Sequence, residues 1–298
     1  MTKHEFSRIA ASVNRFYKKY HAEIAAMRQQ VVSDGRLHRN RGTRLSEVQM
    51  ITILIGFHMS SYRFKHYYLN VVGQQYRALF PGLLSYNRFV ELQPRVIHPF
   101  MTFLHYCCTG KCTGISFIDS NVLKVCHNRR IHSHKVFAGR AKRGRTSVDW
   151  FFGFKLHLII NDKGEFVSFC ITRGNTDDRN PKVMQCMTRT LFGKLYGDKG
   201  YISKSLSEIL LNKGIELITK LKKKMKQQLM PEVDKLLLRK RAIVESVNDQ
   251  LKNISQVEHT RHRSANGFLL NLIAGMTAYC FKEKKPSLNI KRALLNVH

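Results

Sequence analysis

The chain has 298 residues and 43% hydrophobic content, enough to bury one large core or two modest ones. It carries 51 Lys+Arg against 20 Asp+Glu, a formal net charge of +31. The excess is spread over the chain rather than confined to a tail, which points to a polyanion such as nucleic acid as partner. No apolar stretch reaches membrane-spanning length, and Met1-Thr-Lys-His-Glu5 lacks the apolar region of a secretory signal, which argues against a membrane partner. The cysteines are odd in number (Cys107, Cys108, Cys112, Cys126, Cys170, Cys186, Cys280) and suit a reducing, cytoplasmic setting.

Residues 1–110 read as helical. Ser46-Glu-Val-Gln49 is a capping box, followed by Met50, Ile51, Leu54 and Phe57 at helical spacing. Ser60-Ser61 interrupts the pattern and a second helix is expected from Tyr62. Pro81-Gly82 marks a turn, and Ser85 is placed to cap a further helix. Helix, short break, helix, with Arg and Lys on the polar faces, suits a DNA-binding domain, possibly of helix-turn-helix type. His105, Cys107, Cys108 and Cys112 lack the paired C-x₂-C spacing of a zinc site, and free thiols are the better reading.

From residue 111 the pattern changes to α/β. Residues 114–125 read as a strand, 150–160 as a second, Asn161-Asp-Lys-Gly164 as a hairpin turn and 165–172 as the returning strand. A helix follows Pro181. A short strand then runs into Gly197-Asp-Lys-Gly-Tyr201, Ser203 or Ser205 opens another helix, and 215–221 form a fifth strand. A helix spans Arg239-Lys-Arg-Ala-Ile-Val-Glu245 and onward to Leu251, and the apolar stretch 267–281 reads as a core helix. Two domains are expected, 1–110 helical and 111–298 catalytic.

Three acids stand out. Asp119 closes the apolar run Gly114-Ile-Ser-Phe-Ile-Asp119, where an acid is costly without a cation. Asp198 follows the fourth strand, and sites in α/β folds gather at such strand ends. Glu245 has Arg241 one turn before it and Lys252 seven residues after it, all three on one helical face with Asn248 and Asp249 between. The other acids have plainer readings: Asp162 sits in the hairpin turn, Asp177 and Asp178 in a loop where they can cap the next helix, Asp149 precedes a strand rather than ending one, and Asp234 falls in a mixed helical stretch.

On these residues the chain resembles the bacterial insertion-sequence transposases of the DDE class, whose catalytic domain has the ribonuclease H-like fold. Asp119, Asp198 and Glu245 match that family's three metal-binding catalytic carboxylates in order. Arg241, Glu245 and Lys252 match the R-x₃-E-x₆-K part of a signature whose preceding tyrosine is Leu238 here, and Tyr201 matches the pattern after the second acid. The resemblance spans about 113–285. It implies an α/β fold with a mixed five-stranded sheet flanked by helices. It further implies two Mg²⁺ or Mn²⁺ ions at the carboxylates, cleavage of terminal inverted repeats, and strand transfer to target DNA by a homodimer assembled on the ends. Arg241 and Lys252 would contact DNA, with Tyr201 and Asn248 in support. A nuclease or resolvase that only hydrolyses, and a non-catalytic nucleic-acid-binding protein, are the competing readings.

The connection between the first two strands is strongly basic. It contains Gly139-Arg-Ala-Lys-Arg-Gly-Arg-Thr146, a near P-loop with Arg145 in place of the essential Lys. Its Arg140, Lys142, Arg143 and Arg145 suit a mobile loop gripping DNA near Asp119. Lys222-Lys-Lys-Met-Lys226 is a second basic run.

Overall fold

A computed structural model describes residues 2–31, 43–146, 148–220, 230–258 and 262–288; the run 222–226, His259 and Arg261 lie outside them. The chain forms two compact units. One comprises residues 1–108, 254–257 and 264–281, and the other 109–253, 258–263 and 282–298.

In the first unit, α1 spans Lys3–Val31 and α2 Glu47–His58. The Ser46 hydroxyl accepts from the Gln49 amide at 3.2 Å, and the Gln49 side chain accepts from the Ser46 amide at 3.0 Å. This reciprocal cap stabilises the start of α2 by about 1 kcal/mol. The helix expected from Tyr62 starts as a single α-turn, α3 (Phe64–His66), and widens into a π-helix over Tyr67–Gln75. Ser85 caps α4 (Tyr86–Leu92), and α5 (Ile97–Cys107) follows. The last helix of the described chain, here named α10 (Ala265–Cys280), is apolar nearly all round and packs on α2 and α5. Dividing the chain at 110 therefore misplaces this helix: its buried face, with Phe268, Leu272, Ile273 and Met276, completes the helical core.

The second unit is built on a mixed sheet. Its strands are β1 (Ile115–Cys126), β2 (Lys142–Arg145), β3 (Trp150–Asn161), β4 (Phe166–Arg173), β5 (Gly193–Gly197) and β6 (Ile215–Thr219). The order is β2-β3-β1-β5-β6, with β4 also on β3. β1 runs antiparallel to β3 and parallel to β5. The outer edge of β3 is shared, Trp150–Gly153 pairing with β2 and Phe154–Ile160 with β4. The fold is thus the expected ribonuclease H-like α/β layout, with one strand more than the five read from sequence. That strand, β2, comes from the basic connection. Gly144 makes it possible, because a Cβ there would sit 2.1 Å from the Gly174 carbonyl oxygen.

Strand periodicity divides the core. Ile118, Ile159 and Leu195 point to the face covered by α6 (Pro181–Met187) and α7 (Lys204–Leu211), where Met184, Met187, Leu206 and Leu210 are buried. Phe117, Lys194 and Tyr196 point the other way, where α8 (Glu232–Lys240) packs on β5 and β6 and α9 (Ala242–Asp249) on β1. The Phe117 and Tyr196 rings stack at 5.5 Å.

Asp234, in the first turn of α8, is buried and ties the helix to the sheet. Lys194 Nζ lies 2.9 and 2.8 Å from its two carboxylate oxygens, and the Tyr196 hydroxyl donates to it at 2.6 Å. Removing one partner of such a group leaves the others desolvated and unpaired. Asp234→Ala is expected to cost about 3 kcal/mol in urea unfolding, and Asp234→Asn, which still accepts from Tyr196, clearly less; equal costs for the two would show that the polar bonds contribute little.

Candidate active site

The register that pairs Ile115 with Lys194 and Phe117 with Tyr196 brings Asp119 and Asp198 level, two residues further along each strand. Asp119 is not at a strand end, as its sequence context suggests. β1 continues to Cys126 against β3, and only its pairing to β5 stops, because β5 ends at Gly197. Asp119 therefore lies inside a strand at the point where the neighbouring strand turns away. Gly197 permits that close turn: a Cβ there would lie 3.2 Å from the Tyr201 ring and 3.3 Å from Ile118. Asp198 then caps the short 3₁₀ turn Lys199–Tyr201, its Oδ1 accepting from the Gly200 amide at 2.8 Å.

The third acid comes from α9. The expected single helix across 239–251 breaks at Arg241, which ends α8 and starts α9, and turns into a π-helix over Gln250–Ile254. Asn248 is buried and donates to Asp119 Oδ2 at 2.9 Å, fixing α9 against β1. Arg241 pairs with the Glu245 carboxylate and lies 3.9 Å from Asp119 Oδ1. Its guanidinium thus serves as counter-charge for two of the three acids. The wider π-turn takes Lys252 out of this stripe; its Nζ lies 2.9 Å from Glu258, whose carboxylate also accepts from the Lys124 amide. Leu238, at the signature's tyrosine position, is a buried core residue.

Burial above all, with smaller contributions from the Asp198 and Glu245 charges, pushes the Asp119 acid up to about 6 against the pull of Arg241. Tyr201 is buried, and burial together with the Asp178, Asp119 and Asp198 charges holds its hydroxyl protonated far above the ordinary range. Asp178, expected in the loop as a helix cap, instead accepts from Lys155 Nζ at 3.0 Å, and Asn180 caps α6. Buried His157 bonds Thr172 at 2.8 Å beside this pair. Lys155 and His157 interrupt an otherwise apolar strand, Trp150-Phe-Phe-Gly-Phe-Lys-Leu-His-Leu158, and that interruption is the sequence signal for this network.

The basic strand β2 stands apart from the acids. Lys142 is level with Gly153 and so with Lys124 on β1, two strands across and roughly 17 Å along from Asp119. Arg140, Lys142, Arg143 and Arg145 are exposed, and Arg145 lies over the Trp150 ring at 5.6 Å. Among the described residues no three His, Cys, Asp or Glu side chains converge as a metal cluster, and all seven cysteines are free. The obstacle at the acids is small. Glu245 is exposed and turned onto Arg241, an i,i+4 pair worth roughly 0.3–0.5 kcal/mol. Hard oxygen donors, one of them with its pKa raised by burial, fit a divalent cation.

Two acids set level where a parallel strand pair ends, with a third on the helix beside them, make a carboxylate-bearing sheet end of the kind found in domains that act on nucleic acid. Residues 109–265, slightly more than half of the chain, match the family described as "Transposase DDE domain", and the chain belongs to that family. No curated protein matches it. A solved structure, "Cryo-EM structure of piggyBac transposase synaptic complex with hairpin DNA (SNHP)", aligns with 94% of this chain and 72% of its own at 10% identity, with a TM-score of 0.47. No helix among the described residues is long and apolar enough to cross a membrane.

The raised acid has a consequence for stability. Between about pH 4 and 6 the folded chain holds a proton on Asp119 that the unfolded chain has released, so stability falls as pH rises through that window. Asp119→Asn should therefore be more stable than wild type at pH 8, by at most about 3 kcal/mol, with the gap closing toward pH 4. Urea unfolding at both pH values measures this, and a gap independent of pH would remove Asp119 as its source.

Proposed function

We propose that the chain is a DNA transposase that cleaves the ends of an insertion sequence and joins them to target DNA at Asp119, Asp198 and Glu245. The observation that supports it most is the β1–β5 register, which sets two acids level beside α9 in a chain of the DDE family. Three carboxylates alone would repel a phosphodiester. Asp119, Asp198 and Glu245 would hold Mg²⁺ or Mn²⁺, two ions as the resemblance implies, supplying charge neutralisation at phosphorus and an acidified nucleophile. In the first reaction water attacks an end phosphodiester in line, breaking a P–O bond and freeing a 3′-hydroxyl. In the second that hydroxyl attacks a target phosphodiester, forming the new P–O bond while the target strand's own P–O bond breaks and its 3′-oxygen leaves as a hydroxyl.

The protein's own contribution is positioning in a partly water-excluded site. Asn248 holds the Asp119 carboxylate in one orientation. Arg241, once Glu245 swings away, is free to meet the phosphate. Tyr201, buried in the apolar cluster with Ile118, stays neutral within reach of the charges of both aspartates. The helical unit, with 15 basic and 5 acidic residues among the first 110, and β2 would bind DNA beyond the cleavage point, terminal inverted repeats being the substrate and a homodimer the pairing unit.

Replacing Asp119, Asp198 or Glu245 by Ala should each lower nicking of a terminal-repeat duplex in Mg²⁺ by at least about 10²–10³-fold without lowering duplex binding. Retained nicking in any one removes that residue from the site. Nicked but never joined products would favour a hydrolase.

A further inference from the structure

At the far end of β1 from Asp119, a depression of about 550 Å³ is lined by Cys126, His127, Arg130, Lys135, His262 and Arg263 among others, His134 included. It carries no acid among its lining residues, while three permanent cations and three imidazoles face one space. Like charges gathered this way repel one another unless an anion with several acceptor oxygens joins them. The pocket is also built rather than incidental. The His134 ring stacks on Phe137 at 5.6 Å and meets the edge of Phe152 at 6.3 Å, and its buried Nε2 finds no hydrogen-bond partner in the protein. Phe137 is itself buried, so the imidazole is held in place before any ligand arrives.

We propose that this pocket is a phosphate-backbone site for DNA, separate from the carboxylates; the choice of DNA as the source of phosphate rests on the transposase reading above. Cys126 is seven residues beyond Asp119 on the same strand, roughly 23 Å. At about 3.4 Å per base pair, a duplex lying along β1 would place a phosphate in the pocket roughly seven base pairs from the cleaved bond. Arg130 and Arg263 supply forked donors suited to phosphate oxygens, and the neutral or charged imidazoles add single bonds. The rigid strand between the two sites makes the pocket a ruler that fixes which phosphodiester reaches Asp119.

The test is the salt dependence of terminal-duplex binding by full-length protein, read by fluorescence anisotropy. The double variant Arg130→Ala/Arg263→Ala should lower the slope of log K against log salt by roughly 1.8, about 0.9 for each lost phosphate contact. Independently of any folding defect in the variant, neutral methylphosphonate linkages about seven base pairs from the cleaved bond should lower the slope for wild-type protein, whereas the same linkages fifteen base pairs away should not. Unchanged slopes in both arms overturn the pocket as a phosphate site. Nicking scored in the same samples separates the two readings: nicking by wild type with unchanged slopes removes the pocket alone, and absence of any duplex binding removes both.

Discussion

A carboxylate in the middle of a strand flanked by buried Phe117, Ile118 and Leu158 has to be met by positive charge, and the second unit is arranged around that demand at Asp119. Desolvating an acid costs more than a surface ion pair returns, which is why its pKa rises even with Arg241 nearby. The nearest partners, Asn248 and Arg241, both come from the α8–α9 segment. The same interaction that partly satisfies Asp119 therefore also docks the element carrying Glu245.

That docking needs a second point of attachment, and Asp234 provides it. α8 begins at Glu232, buries Asp234 against Lys194 and Tyr196, and ends at Arg241 where the helix breaks. β5 thus contributes at both ends: Lys194 and Tyr196 anchor α8, and Asp198 follows directly after the strand. The break at Arg241 lets α9 leave the direction of α8 and lie on β1. A continuous helix would have set Arg241, Glu245 and Lys252 in one stripe. The break and the π-turn give Arg241 to the acids and Lys252 to Glu258.

Much of this was legible in the residues because it is local. The capping box at Ser46, the turn at Asn161–Gly164 and the apolar runs flanking Asp119 and Asp198 are signals carried by a few neighbouring positions, and the elements appear where those signals lie. What escaped was long-range. Gly144 reads as part of a loop until the Gly174 backbone is beside it, so β2 and the sixth strand were invisible. Asp234 reads as one more residue of a mixed helical stretch and Asp178 as a capping residue until Lys194, Tyr196 and Lys155 arrive from strands far away in sequence. The π-turn after Asp249 leaves the helical periodicity of the residues themselves unchanged, so Lys252 read as one stripe with Glu245. Likewise, α10 announces a buried helix but not which core it joins, since an all-round apolar surface fits any.

Arg241 joins these threads, because in the fold described here it occupies the electrostatic role that a divalent cation would take. Its guanidinium faces Asp119 and holds Glu245, so the acids are paired without a metal and the site does not carry three uncompensated charges. The exposed Arg241–Glu245 pair is weak, whereas a divalent ion held by three carboxylates, one of them largely desolvated, would be attracted more strongly. On the proposed reading, exchange of one for the other would favour the ion and would free a guanidinium beside the phosphate. A lysine would be a poorer intermediary, because its single ammonium lacks the planar fork that spans two carboxylates and can then grip a phosphate. The spacing of Arg241 to Glu245, one helical turn, thus lets a single guanidinium face both Glu245 and Asp119.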